Sequence, residues 1–241
     1  MKRILLFISL ILLSTVGFSQ EDLTDDELYA KYGTAQFGPN KKNYIHTLFN
    51  VGLILGSSEG LGAEIDYGKS HTMSVGLRYR AKFNKIFSIG FSFQYKNATI
   101  YLTQSDAKLF PNNIIHESEK LSLNSIDGDL FFRFNISSLD NTLGTYIDLG
   151  AYGGYIYYSN HQFTDNNTNV NPVSGNSTFT VVNHNPNYIL NYNYGLLFRF
   201  GYNHIEFFGK YNLSGIFTKE YKTQFLNIEM PRIEVGMGFN I

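Results

Sequence analysis

The chain has 241 residues with no cysteine and no tryptophan, and phenylalanine and tyrosine make up 16% of it. Without cysteine there is no disulfide scaffold, no thiolate zinc site and no thiol catalysis. A formal net charge of −1, spread without a basic stripe, argues against a dedicated nucleic-acid binder.

Residues 1–19 open on Lys2 and Arg3, continue through an apolar run from Ile4 to Leu13, and place Gly17 and Ser19 at small-residue spacing. This is the pattern of a secretory signal peptide cleaved between Ser19 and Gln20. The competing reading is an uncleaved anchor, for which the apolar run is short. Removing residues 1–19 leaves 17 basic side chains against 20 acidic ones, a net charge of about −3. Residues 20–44 are acidic at first, lack alternation and end near a Gly-Pro-Asn turn signal. They read as a periplasmic N-terminal segment, either a loose leader or a short docking or plug element.

From Ile45 onward the dominant pattern has a period of two, the mark of strands with one apolar face. Eight segments are expected, at about 45–56, 63–82, 86–102, 119–136, 144–158, 187–202, 205–217 and 230–241. In the second, Ala63, Ile65, Tyr67, Met73, Val75, Leu77 and Tyr79 fall on one face; Glu64, Asp66, Ser70, Ser74, Arg78 and Arg80 fall on the other. In the third, Phe87, Ile89, Phe91, Phe93 and Tyr95 stand against Ser88, Gly90, Ser92, Gln94 and Lys96. The sixth sets Tyr188, Leu190, Tyr192, Tyr194, Leu196, Phe198, Phe200 and Tyr202 against a face that includes Asn193 and Arg199.

A soluble sandwich alternates as well, but soluble strands usually run about five or six residues. Several of these segments alternate for far longer, and a tilted membrane strand needs roughly 9–11 residues. The connections also sort by length. Short turns (83–85, 137–143 and Asn203-His204) alternate with long loops, as in outer-membrane barrels. An Asn203-His204 turn would pair Tyr202 with Ile205 and Phe200 with Phe207. A turn at Asp140-Asn141 would pair Ile136 with Thr145, Phe134 with Ile147 and Phe132 with Leu149, and would set Arg133 opposite Asp148. The expected fold is all-β: an eight-stranded antiparallel up-and-down transmembrane barrel over 45–241, with the apolar face toward lipid and both termini periplasmic.

The barrel of eight strands has an interior just wide enough to be filled by side chains. The inward charges are expected to form a polar network of Arg78, Arg80, Asp127, Asp129, Arg133, Asp148, Arg199, Glu206, Lys210, Arg232 and Glu234. Arg133–Asp148 and the diagonal Arg199–Glu206 are its expected pairs. Near balance of sign favours a packing network over a selective pore, which would line up one sign. No catalytic, metal or cofactor site is expected. His71 and Ser74 face opposite sides of a strand. His161, His184 and Asp165 flank the Asn-rich stretch 159–187 and read as solvated loop residues. Thr178 to Val182 inside that stretch alternates weakly and can extend a hairpin above the membrane.

The VGFSQ processing site, the strand–turn–strand GLRYRAKFNKIFSIGFSFQYK and the terminal IEVGMGFNI resemble the small outer-membrane barrels of Bacteroidota, the PorT-like family. The resemblance implies an outer-membrane location, in some cases as an accessory of the gliding-associated secretion system, and brings no catalytic residues with it. The expected role is therefore non-enzymatic and structural or accessory, exerted through extracellular loops or the periplasmic N-terminus. A narrow pore for ions or small solutes and a soluble secreted β-sandwich binding protein are the alternatives. Expected partners are membrane lipid, the barrel assembly machinery during insertion, and a protein at the loops or N-terminal segment.

Overall fold

Nine strands carry the alternation into a computed structural model that describes residues 37–58, 62–137, 143–167, 177–224 and 228–241. They are β1 (Asn43–Leu55), β2 (His71–Lys82), β3 (Phe87–Tyr101), β4 (Ser118–Ser137), β5 (Thr145–Asn167), β6 (Ser177–His184), β7 (Tyr192–Tyr202), β8 (Ile205–Asn212) and β9 (Ile233–Asn240). A six-residue helix, α1 (Lys219–Gln224), lies in the last long connection. Eight strands close an antiparallel ring in the order β1-β2-β3-β4-β5-β7-β8-β9, and β9 pairs back with β1. A sandwich of two open sheets is thereby excluded. β6 stands outside the ring, paired with the outer half of β5.

The expected registers are reproduced where the strands are regular. Tyr202 faces Ile205 and Phe200 faces Phe207, with Asn203 in the left-handed region at φ 58°. Arg133 faces Asp148, Phe134 faces Ile147 and Phe132 faces Leu149. The pair of Ile136 with Thr145 is displaced: Thr145 lies opposite Ser137, with a bulge between Asn135 and Ser137. The turn at Asp140-Asn141 lies outside the described residues.

The outer wall of the ring is apolar. Leu77, Phe93, Leu130, Phe132, Leu196 and Phe198 are all exposed, Leu130 by as much as 66%. The inner wall is polar from the short-turn end to mid-height, then becomes apolar. At the long-loop end the inward side chains of the strands, among them Ile54, Ile100, Leu121, Leu123 and Ile156, meet loop residues Ala63, Ile65, Phe110, Ile216, Phe217 and Met230 in one buried cluster. This lid corrects three expectations. Ala63 and Ile65 belong to no long strand and are buried, not outward. Segment six begins at Tyr192, because Ile189 bends inward to bridge Phe217 and Tyr188 packs against the lid. Segment seven ends at Asn212, after which Ile216 and Phe217 enter the lid. The apolar core itself overrides alternation here: a loop residue that can reach it gains more by burial than by continuing a ladder.

Candidate functional site: the lumen and its lid

Lumen chemistry follows from strand parity. On each ring strand every second residue points inward, so the polar residues that alternate with Phe, Leu and Ile converge on the axis. Arg78 sits at the centre of the lower half. Its guanidinium forks onto Glu206, Nη1 to Oε2 at 2.5 Å and Nη2 to Oε1 at 2.9 Å, while Nε donates to Ser92 at 3.0 Å. Arg133 forks onto Asp148 at 2.7 and 2.8 Å. Arg199 donates to Asp129 at 2.6 Å and stands 3.6 Å from Asp148 and 3.7 Å from Glu206. The diagonal Arg199–Glu206 contact is therefore present but secondary, because Arg78 from across the ring takes Glu206 instead. All three guanidiniums surround the ring of Phe131, at 5.7, 5.4 and 5.2 Å. Arg133 also lies 3.4 Å over the ring of Tyr146.

Asn240 joins this layer to the seam between β9 and β1. It donates to the Tyr146 hydroxyl at 3.0 Å and contacts His46 Nε2 at 3.1 Å, and Tyr146 in turn donates to Glu206 at 3.0 Å. The close approach of Tyr146 requires glycine opposite it. A Cβ on Gly201 would stand 2.1 Å from the Tyr146 ring. Below this layer Arg80 donates to the carbonyls of Pro39 and Lys41, at 2.9 and 3.1 Å, so the chain entering the barrel is held across its short-turn end.

Higher up, Lys96 pairs with Glu234 at 2.5 Å and Thr72 donates to the other Glu234 oxygen at 2.7 Å. Asp127 accepts from Ser125 at 2.6 Å, and the Lys210 ammonium lies 5.3 Å over the Tyr152 ring. A void of about 60 Å³ separates this layer from the apolar lid.

Ten of the eleven residues expected to form the network lie along the lumen wall, and Arg232, which precedes β9, is half-buried at its rim, where it lines the void and donates to the Leu213 carbonyl at 3.3 Å. Lys96, which the expected network left out, also faces the lumen and pairs with Glu234. The expected network, drawn almost wholly from charged side chains, also left out His46, Asn50, Tyr146, Tyr152 and Asn240. The parity of their strands marks them, but inward-facing Tyr146 and Tyr152 look like lipid-facing aromatics when read by residue type.

The lid is tied down by a second polar cluster at the long-loop end. Glu119, 1% exposed, accepts from His161 Nε2 at 2.7 Å, from Gln104 at 2.9 Å and from Lys108. Burial alone would raise the Glu119 pKa, but the hydrogen bonds from His161, Lys108 and Gln104 outweigh it and hold the carboxyl below its ordinary value. His116 stacks on Phe163 and contacts Asp165 at 2.7 Å. His161 and Asp165 thus belong to the extended β5 and its packing, and the expectation that both are solvated loop residues is corrected. His184 is exposed and contacts Asn160 at 2.8 Å, away from both. His71 is bonded to the Lys69 carbonyl at 2.7 Å, and Ser74 points into the lumen toward Asn50 and Gln94.

Among the described residues no group of three or more His, Asp or Glu side chains converges as a metal site. No family model and no curated protein matches the chain. Solved structures do. Ail, the attachment invasion locus protein of Yersinia pestis, superposes with a TM-score of 0.37 at 10% identity over 83% of this chain and 99% of that one. A second structure of Ail, in complex with the heparin analogue sucrose octasulfate, gives 0.35 at 10% identity over 82% and 97%. Scores of this size say nothing about activity.

The Glu119 cluster has a pH consequence. A carboxyl whose folded pKa is depressed stabilises the folded loop above its unfolded value and releases that stability as pH falls through the folded one. The loop 102–117 is therefore expected to stay anchored at and above pH 4.5, the ordinary value for Glu119, and to loosen only below it. Amide exchange at Leu109 and Phe110, whose N–H groups donate to Gly62, reads this directly. Glu119→Gln should exchange faster at neutral pH and show a flatter pH profile.

Proposed function

We propose that the protein is an integral outer-membrane β-barrel with a filled polar lumen. In this reading its role is non-enzymatic, structural or accessory, and its long-loop end faces outward while both termini are periplasmic. The observation that carries this reading is the inversion of the ring, with an apolar exterior and a charged interior. Water-facing proteins do not expose contiguous apolar walls of this extent, and a closed ring leaves no strand edge unpaired in hydrocarbon. Among the described residues no helix is long and apolar enough to cross a membrane, so any crossing by them falls to the strands. Strand β9, which closes the ring against β1 with Val235, Met237 and Phe239 outward, offers an apolar strand that the assembly machinery would engage. The rhythm shared with PorT-like barrels is consistent with a secretion-linked accessory role.

A filled lumen supports packing over transport. Cations and anions fill the lumen from the short-turn end to mid-height and the apolar lid covers the top. The test compares unheated and boiled samples of isolated membranes in SDS gels, followed by conductance in planar bilayers. The expected result is a faster unheated band and no steady conductance. Open-channel steps would establish the narrow-pore alternative. A species recovered only from the soluble fraction, without a heat-dependent shift, would overturn the membrane reading.

A further inference from the structure

The short-turn end of the barrel carries positive charge that its described residues leave unbalanced. Lys41, Lys42, Arg80, Lys82, Lys85 and Arg133 stand there, and the only acidic side chains among the described residues of that end are Asp148 and Glu206. Both are taken, Asp148 by Arg133 and Glu206 by Arg78. The other five cations form no ion pair with a described residue. Arg80 differs in this from the rest of the buried arginines, since Arg78, Arg133 and Arg199 each bond a carboxylate. Arg80 is 2% exposed, donates only to the carbonyls of Pro39 and Lys41, and has no hydrogen-bond partner at Nε. A buried cation is ordinarily paired. Here it faces the entering chain, where Lys82 donates to Asn40 at 2.7 Å and Lys41, Lys42 and Lys85 are exposed.

The complement to this charge is in the chain itself. Residues 20–36, which lie outside the described residues, hold Glu21, Asp22, Asp25, Asp26 and Glu27 against a single cation, Lys31. The described chain starts at Phe37, and Arg80 bonds the carbonyls of Pro39 and Lys41 just beyond it. Glu27 is ten residues from Phe37, an extended reach of roughly 33–36 Å, so the five carboxylates are tethered within range of the mouth. Such a tether supplies them at an effective concentration on the order of millimolar. A second copy or an acidic partner would have to compete with that. Lipid phosphates can meet the exposed lysines from outside the ring, but not Arg80, which faces the lumen.

We propose that the cationic short-turn mouth is a docking site for a carboxylate-rich segment, and that its occupant is the chain's own acidic stretch, residues 21–27. This rests on the reading of the chain as a membrane-seated barrel. Within that reading it decides between a loose leader and a docking element in favour of docking. The acidic stretch covers the end of the lumen opposite the apolar lid, and a protein that engages the N-terminal segment must first draw it off the lysines. Contacts between exposed charges weaken with salt, so the docking is reversible by ionic strength.

The test uses the full chain in phosphatidylcholine nanodiscs, which present no net lipid charge. A carbodiimide, which joins a carboxylate to an amine in contact with it, should link residues 21–27 to Lys41, Lys42 and Lys85. It should not link them to Lys69, which lies between β1 and β2 at the long-loop end. The yield should fall at least tenfold in 1 M salt, where the screening length is about 3 Å. A fluorescein-labelled peptide of residues 20–36 should bind the variant Glu21→Gln/Asp22→Asn/Asp25→Asn/Asp26→Asn/Glu27→Gln at least tenfold more tightly than the unaltered chain, whose own segment occupies the mouth. Adding Arg80→Gln to that variant should remove most of the gain; Lys41→Gln/Lys42→Gln, on exposed side chains, replaces it should Arg80→Gln lose the heat-dependent gel shift. Equal linking to Lys69, equal affinity of the peptide for both chains, no binding by a neutralised variant that keeps the shift, or binding undiminished by loss of the cations would each overturn the proposal. Absence of the shift in the unaltered chain would instead remove the barrel reading on which it rests.

Discussion

Replacing Phe198 by arginine is expected to destabilise the inserted barrel by about 2–4 kcal/mol, the cost of a cation on the lipid face near the bilayer midplane. Phe198 is the residue for this test because of where it lies. It occupies the middle of the 11-residue β7, is 48% exposed on the outer wall, and pairs with Leu149 on one side and Gly209 on the other. With glycine as one neighbour, an arginine at 198 has no acidic partner within the ladder. Toward either end of the strand the side chain could snorkel to the interface; from the centre it cannot reach. The measurement is the fraction of protein running as the fast, unheated band across a urea series in liposomes. Phe198→Arg should shift the midpoint strongly and lower the yield of inserted protein. Asn193→Ala, on a half-buried lumen-facing residue of the same strand, should shift it little. Equal tolerance of both would mean that the apolar wall does not meet lipid.

What was legible in the sequence is what period two encodes. Long runs such as Phe87 to Tyr95 and Leu196 to Tyr202 fixed both faces, and the short turn at Asn203-His204 fixed a register that the ring reproduces. Three features were hidden, each for a physical reason. β5 continues to Asn167 because an extra residue, Tyr157, bulges between the partners of Asn124 and Ser125. A bulge shifts parity by one, so the inward set passes from Ile156 to Ser159 and His161, and alternation counted straight through the run appears to end there. The lid was hidden because inward residues turn apolar near the long-loop end. Ile100, Leu121 and Leu123 look like breaks in the alternation when they are its continuation above the polar layers. The partners of the charges were hidden because pairing across the ring is not local. Arg199–Glu206 is the nearest neighbour in a hairpin, yet Glu206 is taken by Arg78, 128 residues away in the chain. Period two states that a side chain faces inward; only closure of the ring states whom it meets.

That non-local pair gives the largest effect expected from the lumen. Glu206 receives two bonds from Arg78, one from the Tyr146 hydroxyl at 3.0 Å and one from the Asn240 amide at 3.4 Å. Both partners of the ion pair have fully buried side chains. Removing one member of a buried pair costs about 3–5 kcal/mol, mostly because the other charge remains buried without compensation. The two halves should not cost the same. Glu206→Leu leaves Arg78 with Ser92 and Asn240 as its remaining bonded groups, and no carboxylate bonds to it. Arg78→Met leaves Glu206 with Arg199 at 3.7 Å and with the donors Tyr146 and Asn240. Glu206→Leu is therefore expected to fall at the upper end of the range and Arg78→Met at or below its lower end. The double variant Arg78→Met/Glu206→Leu should recover about 0.5–3 kcal/mol relative to the additive sum, the coupling typical of groups in direct contact. The same urea series on the fast band measures all four corners of the cycle. Additive losses, or a milder effect at Glu206 than at Arg78, would show that Glu206 is not the hub around which the lower lumen is organised.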